Sequence, residues 1–110
     1  MAEAMKFDGG KPRMDLLDPY AIEELAKVLS FGAHKYAAWN WTLGLEYSRL
    51  SGAALRHIMA FQRGEDKDPE SGLPHLAHAL CCLMFLLSMT QRHPELDDRN
   101  IFNPQDKEKP

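Results

Sequence analysis

The sequence predicts an all-α protein, a small helical bundle of about three main helices completed by oligomerisation. Three observations predict it. Apolar residues recur at helical spacing in three separate stretches of the chain. Start and stop signals delimit them, with Asp18-Pro19 opening the first and His93-Pro94 closing the last. A chain of 110 residues, 45% hydrophobic, is one domain with a small core that further subunits would enlarge.

Composition also excludes some partners. The formal charge of −3 leaves no global basic field to attract a nucleic-acid polymer. The apolar run from Leu80 to Met89 is too short to span a bilayer, and the N-terminus lacks the apolar core of a signal peptide. Cys81 and Cys82 are neighbours, about 100° apart on a helix, and there is no CxxC. They read as small core hydrophobes of a reducing compartment. The expectation is a soluble cytoplasmic protein with no membrane partner.

Taken in order, residues 1–17 form an N-terminal arm containing Asp8-Gly9-Gly10-Lys11-Pro12-Arg13. Gly-Gly allows a turn and Pro12 directs the chain between two cations. Such an arm either cradles phosphate through backbone N–H groups with Lys11 and Arg13, or is simply solvated. The Walker spacing is absent.

The first helix starts at Asp18 as N-cap and reaches about Ala37, with Leu25, Val28, Leu29 and Gly32 as its apolar stripe. Glu24 and Lys35, about three turns apart, share a side with Val28 and Phe31, so both are expected to face inward. Glu23 and Lys27 are expected to make an exposed pair. Residues 36–47 are aromatic and irregular, with Trp39 and Trp41 flanking Asn40 and a turn at Gly44. Aromatics beside an amide can stack on and hydrogen-bond a base or sugar, or can form a hydrophobic lid.

The second helix, roughly 49–63, gathers Leu50, Ala53, Ala54, Ile58 and Phe61 on one face, and His57 falls inside that stripe. Arg56 lies a quarter-turn away, at the edge of the same cavity. In the third helix, roughly 73–91, His75 and His78 share a side with Ala79, Cys82 and Phe85. Leu80, Leu83, Met84 and Leu87 point largely elsewhere, toward a partner subunit. Between the two helices runs a loop carrying Glu65, Asp66, Asp68 and Glu70. A single inward histidine is most often a satisfied core residue. Three of them bracketing four carboxylates supply the nitrogen and oxygen donors of a divalent-metal or acid–base site. Residues 93–110 form a polar, proline-bearing tail with one apolar pair, Ile101-Phe102, either disordered or docked on a neighbouring subunit.

The blocks KFDGGKPRMDLLDP, FGAHKYAAWNW and RHIMAFQRGEDKDPESGLPHLAHA resemble the phage-type dATP/dGTP diphosphohydrolases, from about Lys6 to Leu87. The resemblance implies hydrolysis of a purine deoxynucleoside triphosphate to the monophosphate and pyrophosphate with Mg²⁺ or Mn²⁺, in the host cytoplasm. It also implies kinship with the all-α, oligomeric MazG-like pyrophosphohydrolases, and makes residues 18–92 the nucleotide-hydrolase domain. The MazG-type acids are not all present: Lys27 follows Glu23-Glu24 where a third acid would stand, and His75 and His78 replace an ExxD pair. An HD-type phosphohydrolase is the other histidine-rich alternative, but the chain has no His-Asp dipeptide.

Within that chemistry the candidate ligands or bases are Glu65, Asp68 and Glu70 with His57 and His75, and Glu24 adds a carboxylate from the first helix. Lys11, Arg13, Lys35 and Arg56 are candidate phosphate clamps, Asn40 and Trp41 candidate base or sugar contacts, and His78 a further substrate contact. A homo-oligomer, dimer or tetramer, is expected. The competing readings are a nucleotide-binding regulatory protein without turnover and a helical adaptor whose histidines only support the core.

Overall fold

Three α-helices carry the chain: α1 (Pro19–Lys35), α2 (Tyr47–Gln62) and α3 (His75–Arg92). A 3-10 turn at Met14–Leu16 precedes α1, one at Asn40–Leu43 joins α1 to α2, and one at Pro94–Leu96 follows α3. The computed structural model describes residues 2–99, so the Ile101-Phe102 pair of the tail lies outside the described residues. The fold is all-α. Among the described residues the one strand-like contact is an isolated bridge between Lys67 and Pro74. No described helix is long and apolar enough to cross a membrane.

Each helix begins and ends where its sequence requires. Asp18 accepts the Tyr20 N–H and Pro19, which has no N–H, takes the first helical position, so two of the first-turn donor positions of α1 are accounted for. At the far end of α2, Gly64 stands at φ +96°. Its N–H reaches the Phe61 carbonyl, and the Glu65 N–H reaches Ala60. This Schellman pattern satisfies the last carbonyls of the helix and turns the chain sharply. α2 has no side-chain cap of its own at Glu46. Asp98, from beyond α3, supplies one by accepting the Ser48 N–H and hydroxyl.

α3 is central, packed along α2 and crossed by α1. Small residues at the contacts, among them Ala54, Ala60, Ala77 and Ala79, let the helices approach closely, and all four are buried. One core cluster joins Val28, Ala77 and Cys81. A second joins Tyr47, Leu50 and Met89, and Phe85 packs against both. The Tyr47 hydroxyl donates to the Met89 carbonyl, so the one polar atom of that ring is not stranded.

Several expectations change. Phe61 is exposed, because α2 ends one residue later and turns away from the core there. Lys27 pairs with Glu24, not Glu23. Met84 lines a cavity instead of the outer face. The tail also begins by folding back on its own chain: His93 Nε2–H donates to the Thr42 carbonyl, and Leu96 packs on the second cluster.

That return depends on Gly44. Its φ is +115°, and an added Cβ would stand 2.8 Å from Leu96 Cδ1. Gly44→Ala is therefore expected to destabilise the fold by about 1–3 kcal/mol through backbone strain alone. Thermal unfolding checks this: an unchanged Tm would mean that the backbone at Gly44 is not held at positive φ.

Candidate functional site

The site is built by the α2–α3 hairpin and the loop of residues 63–74. His57 sits on the inner side of α2, and His75 opens α3 with its N–H donated to the Asp66 carbonyl. Between them the loop is closed tightly by Asp68 N–H to Leu73 and Gly72 N–H to Asp68. This brings His57, Asp68 and His75 together, each offering one ligand atom within 4.8 Å of the others.

The hydrogen bonds define the protonation pattern. His75 is the one buried polar residue among those described, 4% exposed. Its Nε2 lies 2.7 Å from Glu65 Oε1, and a carboxylate can only accept, so Nε2 carries the proton. In neutral His75 the lone pair is then on Nδ1, facing His57 Nδ1 at 2.9 Å. Two imidazole nitrogens bound to one ion at right angles, at bond lengths near 2.1 Å, would stand about 3.0 Å apart. A carboxylate that fixes the tautomer of a histidine from its outer nitrogen is the usual support of a metal ligand. Glu65 occupies that supporting position and is not itself in the cluster.

Asp68 is held by its own loop: Oδ2 accepts the N–H groups of Glu70 and Ser71. Burial pushes its pKa up, but the Ser71 bonds and the nearby histidines outweigh this and leave it below the ordinary carboxylate range. Ser71 also touches His78 Nε2 through its hydroxyl at 2.7 Å, while accepting the Leu73 N–H. His78 in turn stacks on His57, centroids 4.7 Å apart and planes 12° from parallel. Burial lowers the pKa of His57, reinforced by His78 and His75. Burial likewise lowers His78, against the pull of Asp68. Neutral imidazole is the form that ligates metal.

The cluster borders a cavity of about 940 Å³, within the range of small-molecule sites. Lys35, Asn40, Trp41, His57, Asp68, Glu70 and His78 line it. Lys35 pairs with Glu70 at 2.6 Å, both substantially exposed, and not with Glu24. Glu24 belongs neither to the cluster nor to the cavity wall; it accepts from Lys27. Arg56 lines a separate cavity of about 490 Å³ next to Arg49. Lys11 and Arg13 are on the exposed arm, Arg13 paired with Asp15, and neither lines either cavity.

Sequence reasoning missed Arg49, and of the two tryptophans flanking Asn40 it placed Trp41 rather than Trp39 among the candidate contacts. Arg49 borders both cavities, and its spacing of seven from Arg56 on one helix was the available signal. Trp41 stacks on Phe85 at 4.6 Å and lies beneath Arg92, whereas Trp39 is exposed on the cavity rim. Cys81, whose thiol burial pushes up to about 12, has no thiolate to offer.

The family model for dATP/dGTP diphosphohydrolase, N-terminal, matches residues 1–99. A protein of Salmonella phage PMBT28 named dATP/dGTP diphosphohydrolase is 43% identical over 95 residues, 86% of this chain and 32% of that protein. The chain thus spans about a third of the length of the curated relative it matches. No solved structure matches.

The pKa directions set a pH dependence. Histidines held below their unfolded value near 6.5 bind fewer protons in the folded state, as does Asp68. Stability is therefore complete above about pH 6.5 and is lost as the pH falls through the folded values. His93, raised by the Thr42 carbonyl and Glu95, works in the opposite direction. In a His93→Gln background, urea unfolding is expected to show lower stability at pH 5.5 than at 7.5. A flat profile would mean that His57 and His78 are not desolvated.

Proposed function

The chain belongs to the family of dATP/dGTP diphosphohydrolases, N-terminal, and on that premise we propose that it hydrolyses a purine deoxynucleoside triphosphate, dGTP or dATP. The products are the monophosphate and pyrophosphate, and the work is done in the host cytoplasm. The observation that carries this reading is the convergence of His57, Asp68 and His75 beside a nucleotide-sized cavity that also holds Lys35 and Arg49.

His57, Asp68 and His75 would hold a divalent cation. The donor set fits: two imidazoles and a carboxylate suit a first-row ion such as Mn²⁺, whereas Mg²⁺ prefers oxygen alone. When bound, such an ion polarises phosphate oxygens and lowers the pKa of water. Glu65 keeps the His75 proton on Nε2, and so keeps Nδ1 free to ligate. Glu70 holds Lys35 at the cavity wall, and phosphate oxygens arriving there compete with Glu70 for the ammonium. Arg49 brings a second cation to the same wall. Together they stabilise the charge that develops on departing pyrophosphate.

Asp68→Asn is expected to lower turnover at least about a hundredfold while the helices remain folded by circular dichroism. The assay is pyrophosphate release from a dNTP panel with Mn²⁺, Co²⁺ or Mg²⁺. Wild-type rates in folded Asp68→Asn would remove this carboxylate from the reaction. Binding of dGTP without release by the unmodified protein would favour the regulatory reading.

We further propose a homo-oligomer. Leu76, Leu80, Leu83 and Leu87 are exposed at helical spacing along α3, and the arm exposes Met5, Phe7, Met14 and Leu16. A second copy offers each surface a match, and soluble monomers rarely leave such apolar area bare. Leu83→Glu with Leu87→Glu should shift the assembly to smaller species in light scattering. A compact monomer of the unmodified chain at micromolar concentration would overturn this.

A further inference from the structure

We propose that Trp39 is the platform on which the purine base stacks, with Asn40 beside it as the polar group at the base edge. The inference rests on the nucleotide-hydrolase reading above and adds a base subsite to it. Trp39 is the one non-glycine residue with positive φ among those described, at φ 64° and ψ 10°. A bulky side chain is a poor choice for the left-handed region, where glycine or asparagine would fit without strain. Local structure nevertheless fixes the position. Thr42 donates both its N–H and its hydroxyl to the Trp39 carbonyl, and Asn40 N–H reaches Ala37.

The strain does not serve the core. Trp39 is 68% exposed, and its indole meets Trp41 only at a tilt, centroids 6.1 Å apart. The left-handed turn carries the ring out to the cavity rim instead. A backbone outlier that exposes a large aromatic at the mouth of a cavity points to a ligand.

The other rings of the cavity are engaged. Trp41 is stacked on Phe85 and covered by Arg92, and Lys35 stands over Tyr36 at 5.3 Å. Tyr36 is as exposed as Trp39, but its ring already faces the Lys35 ammonium, whereas the Trp39 ring meets only the tilted Trp41. The same cavity holds Lys35, Arg49, His57 and Asp68, so it offers polar groups for phosphates together with an aromatic ring for a base. Stacking tolerates different bases because every base has a π-face, and a purine covers more of an indole than a pyrimidine does. One platform therefore accepts adenine and guanine alike.

The test is calorimetric binding of dGMP, dAMP and inorganic pyrophosphate to the unmodified protein and to Trp39→Ala, Trp39→Phe and Trp39→Gly, with Tm measured without ligand. Trp39→Ala and Trp39→Gly should weaken both monophosphates about tenfold or more and leave pyrophosphate within twofold. Trp39→Phe should recover most of the loss. Trp39→Gly should keep or raise the Tm, because the strained conformation suits glycine. Unchanged monophosphate binding, an equal loss for pyrophosphate, or a lowered Tm in Trp39→Gly would overturn the assignment. If the unmodified protein bound neither dGMP nor dAMP, the nucleotide-hydrolase reading itself would fall, an outcome distinct from a silent Trp39.

Discussion

Everything in this small fold turns on a single buried imidazole. His75 is almost inaccessible to water, so leaving either ring nitrogen unpartnered would cost about 1–3 kcal/mol. Both are satisfied, one by Glu65 and the other by His57. Those two partners come from different places, the turn after α2 and the body of α2. Satisfying His75 therefore fixes where α3 begins relative to where α2 ends. The Gly64 turn is what brings Glu65 into reach, and the short bonds of the loop then set Asp68 at the same point. Histidine pairing and loop geometry are one constraint.

The remainder of the molecule is arranged around that hairpin with little apolar material to spare. Two thin clusters meet at Phe85, and much of the facing surface is alanine. Small residues bring helices close, but each buries little area, so the stabilisation per residue is modest. The returning tail compensates in part. It covers Gly44, packs Leu96 on Tyr47 and Leu50, and caps α2 through Asp98. The fold leaves aromatic and leucine side chains exposed in two places, the cavity rim and the outer face of α3. These are the surfaces proposed above for a bound base and for a second copy.

The sequence by itself determined the helices and the direction of their key side chains. Capping chemistry at Asp18-Pro19 and the stop at His93-Pro94 set ends that agree with the structure to within about two residues. Helical periodicity alone aimed His57, His75 and His78 inward, because rotation per residue is a property of the backbone and needs no partner. That is why the convergence of His57, Asp68 and His75 was legible in advance. Only the tertiary structure decided which groups those directions would meet. Lys35, expected only to face inward, found Glu70, thirty-five positions away. Glu65 became the support of His75, Arg56 turned into a second cavity, and Trp41 rather than Trp39 joined the core. Periodicity gives an angle about one helix axis. Pairing across elements depends on how helices cross, how loops close and which rotamers fit, and these emerge only when the whole chain is packed.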